Sequence, residues 1–164
     1  MDGGPKHSFP PVADERTRVL VLGSLPGEVS LRQARYYGHP RNLFWPLMAE
    51  VTGRNLVSLA YEERLSTLLD AGVGLWDVVG SARRQGSLDT AMRDVHANDL
   101  SGLVTRLPSL RAIGFNGGTS ARIGRAQLAG SSFALVDLPS SSPAYASLPF
   151  AAKLERWREL ACFL

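Results

Sequence analysis

The chain has 164 residues, 45% of them apolar, enough for one domain with its own core, which excludes a disordered or disulfide-stapled polypeptide. Lysine plus arginine exceed aspartate plus glutamate by 18 to 15, giving +3 and a pI near 9.4, a balance compatible with a polyanionic partner but diagnostic of none. A single cysteine, Cys162, excludes an internal disulfide and a cysteine metal cluster; with no secretory signal pattern and no apolar run near the roughly 20 residues of a membrane span, a cytoplasmic protein is expected.

Residues 1–17 are rich in Gly, Pro and charge without periodicity and read as a flexible N-terminal arm, leaving a single domain over 18–164. Residues 18–24 form a short apolar run ending in Gly23 and Ser24, the pattern of a buried strand emptying into a loop. Leu43, Phe44, Leu47, Met48 and Val51 then recur at helical spacing, with Asn42 as N-cap, Pro46 in or just past the first turn, and Gly53 as stop. A second helix is predicted over 61–71, where Leu65, Leu68 and Leu69 share a face, and a second strand over 73–79, ending near Asp77. Two short helical pieces follow at 87–93 and 99–106, the latter closed by Pro108. A third strand at 111–115, a helix at 119–128, a fourth strand at 133–138 and a final helix at 149–164, carrying Phe150, Leu154, Trp157 and Leu160 inward, complete the chain.

Alternating helices with strands too apolar to have a wet face implies an α/β fold with a parallel sheet covered on both sides. Ligands gather at the C-terminal strand ends of such sheets, so function belongs in the loops after Leu22, Val78, Phe115 and Leu138.

Three of those loops are unusual. The first combines Gly23-Ser24-Leu25-Pro26-Gly27 with Tyr36-Tyr37-Gly38-His39-Pro40-Arg41-Asn42-Leu43-Phe44-Trp45, placing aromatics beside amides on a tightly turned backbone. The second holds Asp77, a carboxylate interrupting an apolar strand, expensive to bury unless paired or used. The third, Leu138-Pro139-Ser140-Ser141-Ser142-Pro143-Ala144-Tyr145, is a proline-braced run of hydroxyls suited to gripping phosphate oxygens.

Together these motifs resemble the uracil-DNA glycosylase superfamily, and most closely its hypoxanthine-DNA (deoxyinosine) glycosylase branch, from about Arg18 to the C-terminus. The long composite of the glycine turn and the tyrosine-to-tryptophan segment carries the likeness. The resemblance implies a three-layer αβα sandwich around a four-stranded parallel sheet. It also implies monofunctional base excision from DNA containing deaminated bases, without metal or cofactor, by a monomer acting in base-excision repair. Mismatch-specific uracil glycosylases carry a water-directing asparagine where this chain has Leu25, and in the hypoxanthine branch the essential amide falls on Asn42. Tyr37 falls at the aromatic that stacks on the flipped base, with Tyr36 as fallback, and Asp77 at the side chain that reads the base edge; Gly23, Ser24, Leu25 and His39 complete the base pocket. Pro139, Ser140, Ser141, Ser142, Pro143 and Asn116 fall at the DNA backbone, with Ala144 or Tyr145 near the gap left by the flipped base.

An ionised Asp77 accepts hydrogen bonds only, which suits the N1–H of hypoxanthine and repels the bare N1 of adenine, with uracil N3–H a second guest. Plainer roles stand beside these. Asn42 serves equally as a helix cap, Phe44 and Trp45 as core, and His39 as a loop-shaping residue. Asp77 has Arg83 or Arg84 as a partner, Asn116-Gly117-Gly118 forms a strand-to-helix turn, and Arg111, Arg122 and Arg125 form a solvated basic face. A uracil or mismatch-specific glycosylase on the same fold, and a nucleic-acid or nucleotide-binding module without catalysis, remain the alternatives.

Overall fold

The computed structural model describes residues 4–164. In chain order these run β1 (Lys6–His7), β2 (Val19–Gly23), α1 (Glu28–Gln33), α2 (Phe44–Thr52), α3 (Tyr61–Asp70), β3 (Val73–Asp77), β4 (Val79–Arg83) and β5 (Arg93–Ala97). There follow α4 (Leu100–Val104), β6 (Ala112–Asn116), α5 (Gly118–Leu128), β7 (Ala134–Leu138) and α6 (Phe150–Trp157), which tightens into a 3-10 turn over Arg158–Phe163.

All four predicted strands are present and pair in parallel in the order β3-β2-β6-β7. Successive side chains of a strand point to opposite faces, and β2 obeys this with every residue buried: Val19 and Val21 enter one core with Leu47 and Met48 of α2 and Trp157 of α6. Leu20 and Leu22 enter the other core with Leu100 and Leu103 of α4 and Leu128 of α5. The result is a three-layer α/β sandwich. Its two apolar faces explain why β2 reads as a continuous hydrophobic run rather than an alternating one.

A second, three-stranded antiparallel sheet, β1-β4-β5, was not expected from the sequence. It replaces the predicted helix at 87–93: residues 84–92 form a loop with a 3-10 turn at Asp89–Ala91, and β5 begins at Arg93. That helix has no face to bury, since Leu88 stays 57% exposed, and every residue of β5 is exposed, so backbone pairing along β4 decides the conformation. Part of the expected loose arm is likewise tied down: Lys6 and His7 pair with β4, and Val12 exchanges backbone hydrogen bonds with Leu75 at 2.7 and 2.8 Å. The final helix ends earlier than predicted, and Phe150 is exposed while Leu154, Trp157 and Leu160 point inward as expected.

Helix α2 begins at Phe44 with Leu43, not the expected Asn42, at its N-cap, because the chain turns one residue later than the polar signal; the Asn42 Oδ1 still accepts the Phe44 N–H at 2.9 Å from just outside the cap, satisfying one of the unpaired donors of the first turn. Among the described residues no helix is long and apolar enough to cross a membrane, and no group of three or more His, Cys, Asp or Glu side chains is arranged to hold a metal ion.

Candidate active site

The site begins where β2 and β3 end side by side, with Gly23 paired to Asp77. A Cβ on Gly23 would lie 2.6 Å from Asp77 Oδ1 and 3.1 Å from the Tyr37 hydroxyl, so the missing side chain is what lets carboxylate and phenol converge. Asp77 is only 4% exposed, and its Oδ2 is buried without a hydrogen-bond partner. Burial pushes its carboxyl up to about 7, the nearby Asp89 charge adds to this, and Arg84 opposes it. Neither arginine weighed from the sequence neutralises Asp77 by contact: Arg83 pairs with Asp94, and the buried Arg84 guanidinium bonds the Pro26 and Gly86 carbonyls.

Tyr37 adopts a left-handed backbone, φ 54°, a conformation costing a non-glycine residue roughly 1–2 kcal/mol. Its ring stacks on Phe44 with centroids 3.9 Å apart and planes 15° apart, which covers one face and fixes the ring beside the cavity. Burial and the Asp77 charge hold its hydroxyl above the usual phenol range, so it stays protonated. Tyr36 lines the same cavity and is held differently. It is 4% exposed, and its backbone N–H and hydroxyl bond the Tyr61 hydroxyl and the Pro10 carbonyl, each at 2.8 Å.

Gly23, Tyr37, Asn42 and Asp77 line one cavity of about 240 Å³, below the roughly 300–1,000 Å³ of sites for drug-sized ligands and on the scale of a single planar base. The structure therefore brings the expected amide, aromatic and carboxylate together. Ser24, Leu25 and His39 line the same space. Leu25 is a buried apolar wall, while His39 shapes the turn, its Nδ1 accepting the Arg41 N–H and its carbonyl the Asn42 N–H, both at 3.0 Å. Because the Asn42 Oδ1 is engaged by the Phe44 N–H, its Nδ2 and one remaining oxygen lone pair are what it offers the cavity.

The hydroxyl run divides. Ser141 is 1% exposed and locked to Asn116: the Asn116 Nδ2 donates to its Oγ, and its N–H donates to the Asn116 Oδ1, each at 2.9 Å. These two residues, expected at the DNA backbone, are buried in the cavity wall and bonded to each other; Asn116 also donates to the Tyr37 hydroxyl at 3.4 Å. Ser140 and Ser142 remain partly exposed on the cavity wall with Pro143, Ala144 and Tyr145. Pro139 does not line the cavity, and its carbonyl accepts the Trp157 indole N–H at 2.9 Å. Lys153, 1% exposed, donates its ammonium to the Tyr145 carbonyl at 2.7 Å, so the last helix braces this loop from behind.

Sequence reasoning missed the opposite wall, Ser87, Leu88 and Asp89. Asp89 accepts the Ser24 hydroxyl at 2.7 Å, and burial raises its pKa while Ser24 and Arg84 oppose the rise. Nothing local distinguishes this aspartate from an N-terminal helix acid; only the return of β4 and β5 brings it to Ser24.

The Uracil DNA glycosylase superfamily profile matches residues 10–161. A hypoxanthine DNA glycosylase of Methanosarcina acetivorans is 45% identical over 139 residues, covering 85% of this chain and 87% of that protein. One from Methanosarcina barkeri is 46% identical over 112 residues, covering 68% and 71%. A solution NMR structure of a Methanosarcina acetivorans protein superposes with a TM-score of 0.87 at 40% identity, covering 96% of this chain and 97% of that one.

Proposed function

The chain belongs to the uracil DNA glycosylase superfamily, and within it we propose that this protein is a hypoxanthine DNA glycosylase, hydrolysing the bond between a flipped deaminated purine and its deoxyribose. One observation carries the substrate assignment: Asp77 lines the cavity and holds one carboxylate oxygen buried and unpartnered. A buried acceptor left without a donor costs about 1–3 kcal/mol, a penalty relieved when a ligand N–H arrives. Hypoxanthine supplies N1–H; adenine presents an acceptor there and leaves the penalty in place.

Extruding the nucleotide costs a few kcal/mol, least where pairing is already weak, so damaged pairs are favoured before any contact with the pocket. The Tyr37 ring, held from behind by Phe44, takes the extruded base on its free face, a stacking contact worth roughly 1–3 kcal/mol. The C1′–N9 bond then breaks with its electron pair leaving on the base, water adds to the oxocarbenium-like sugar, and the surplus proton of that water passes to the base anion, giving neutral hypoxanthine and an abasic sugar. Asn42 cannot deprotonate water at neutral pH; fixed by Phe44, its amide orients the attacking water and places dipoles where charge develops. Ser140 and Ser142 meet the flanking phosphates.

The test uses oligonucleotide duplexes carrying inosine, uracil or xanthine, incubated with the protein and then cleaved with alkali at abasic sites. Scission at inosine is expected. Scission at uracil with inosine intact would move the protein to a uracil-directed activity, and no scission of any strand would leave a binding module.

A further inference from the structure

The geometry points to Leu88 as an apolar prong that enters the base stack of duplex DNA from the side of the cavity opposite Tyr145, an inference that rests on the base-excision reading above. Leu88 is 57% and Tyr145 44% exposed, and both line the cavity that holds Asp77 and Asn42. Their loops come from different sheets. Leu88 sits in the connection between β4 and β5 of the antiparallel sheet, held to the loop after β2 through Asp89 and Ser24, whereas Tyr145 follows β7, an outer strand of the parallel sheet, and is held by α6, so the two reach the cavity on separate, separately anchored loops.

A lone exposed leucine is ordinary on a protein surface. This one differs in how it is held. Leu88 lies among polar or small neighbours, Gln85, Gly86, Ser87, Asp89 and Thr90, and the chain on both sides of it is fastened down. Before it, buried Arg84 bonds the Pro26 and Gly86 carbonyls, Lys6 reaches Gly86, and the Ser87 hydroxyl accepts the Glu28 N–H at 2.9 Å. After it, Asp89 is bonded to Ser24, at the lip of the cavity itself. The loop thus presents an apolar tip at a fixed height without burying it in the protein. Extrusion of a nucleotide opens an apolar gap in the stack, and a side chain that fills the gap keeps the neighbouring bases from closing and expelling the flipped state. Leu88 fits that role from one side while the Ser140-to-Tyr145 loop approaches from the other.

Single-turnover cleavage of inosine, placed opposite cytosine in a duplex and in the same strand unpaired, separates a prong from a pocket residue. For Leu88→Ala the duplex rate is expected to fall about 10-fold or more and the single-strand rate several-fold less than that, because only the duplex has a gap to hold open. Leu88→Met is expected to restore the duplex rate, and the exposure of Leu88 makes a folding defect an inadequate explanation. Equal losses on both substrates, or no loss on either, would overturn the inference. Wild-type protein inert on both would instead remove the base-excision reading, and this inference with it.

Discussion

Asn42 holds two posts, and they can be separated. Its Oδ1 accepts the Phe44 N–H at 2.9 Å, a capping contact, while the rest of the amide faces the cavity. Asn42→Ala removes both. Loss of a cap costs about 0.5–2 kcal/mol, which for a domain of this size lowers Tm by a few degrees, on the order of 2–4 °C per kcal/mol. Loss of a group positioned for the transition state costs about 100- to 1,000-fold in rate, by analogy with removing a single oxyanion donor. Asn42→Ser isolates the second effect, because serine caps almost as well as asparagine but is too short to present an amide to the cavity. The expected pattern is a lowered Tm for the alanine variant only, by thermal denaturation, and a rate loss near 100-fold or more for both variants, by single-turnover excision well below either Tm. If Asn42→Ser excised inosine at the wild-type rate while Asn42→Ala did not, the residue would be a cap and the catalytic assignment would fall.

Three further outcomes concern Asp77 and the Gly23 beside it. The folded-state pKa of Asp77, about 7, lies above the unfolded value near 3.8, so its contribution to stability is fully present below pH 4 and is lost as the pH rises through 7, at most about 4 kcal/mol. Asp77→Asn therefore gains Tm relative to wild type at pH 8 and not at pH 4; a pH-independent difference would mean that the carboxyl is not desolvated. The neutral acid can both donate to adenine N1 and accept from its amino group, so wild-type preference for hypoxanthine over adenine is expected to narrow below pH 7, measured as the ratio of single-turnover rates. An Asp77→Asn variant that kept the full preference at pH 8 would remove Asp77 as the reader of the base edge. Gly23→Ala, whose Cβ would meet the Asp77 carboxylate at 2.6 Å, is expected to lose more than about 10-fold in excision with its circular dichroism unchanged, and full activity would show that the carboxylate need not sit there.

How much of this was legible in the sequence depends on what fixes each part. The parallel sheet was readable because strands buried on both faces are apolar at every position, as in Val19 to Leu22. Asp77 stood out because a charge inside such a run is costly. The small antiparallel sheet was not readable: β5 is exposed throughout, carries no apolar alternation, and owes its form to pairing with β4. Asp89 went unnoticed for the same reason, and the burial of Asn116 and Ser141 depends on a contact across 25 residues. The Asn42 amide, by contrast, meets a backbone N–H two residues away, so its place at the start of this helix was visible from its neighbours, although the cap itself falls one residue later, on Leu43.

The bond from Lys153 to the Tyr145 carbonyl ties the carboxyl-terminal helix to the loop that we propose meets DNA. An ammonium sunk that deep, with burial holding its pKa below the usual lysine range, works as a tent pole whose length sets how far the Tyr145 loop stands from the body of the protein. Homologous chains that differ at this one position, with every cavity residue the same, would then grip the helix of DNA differently while performing the same hydrolysis.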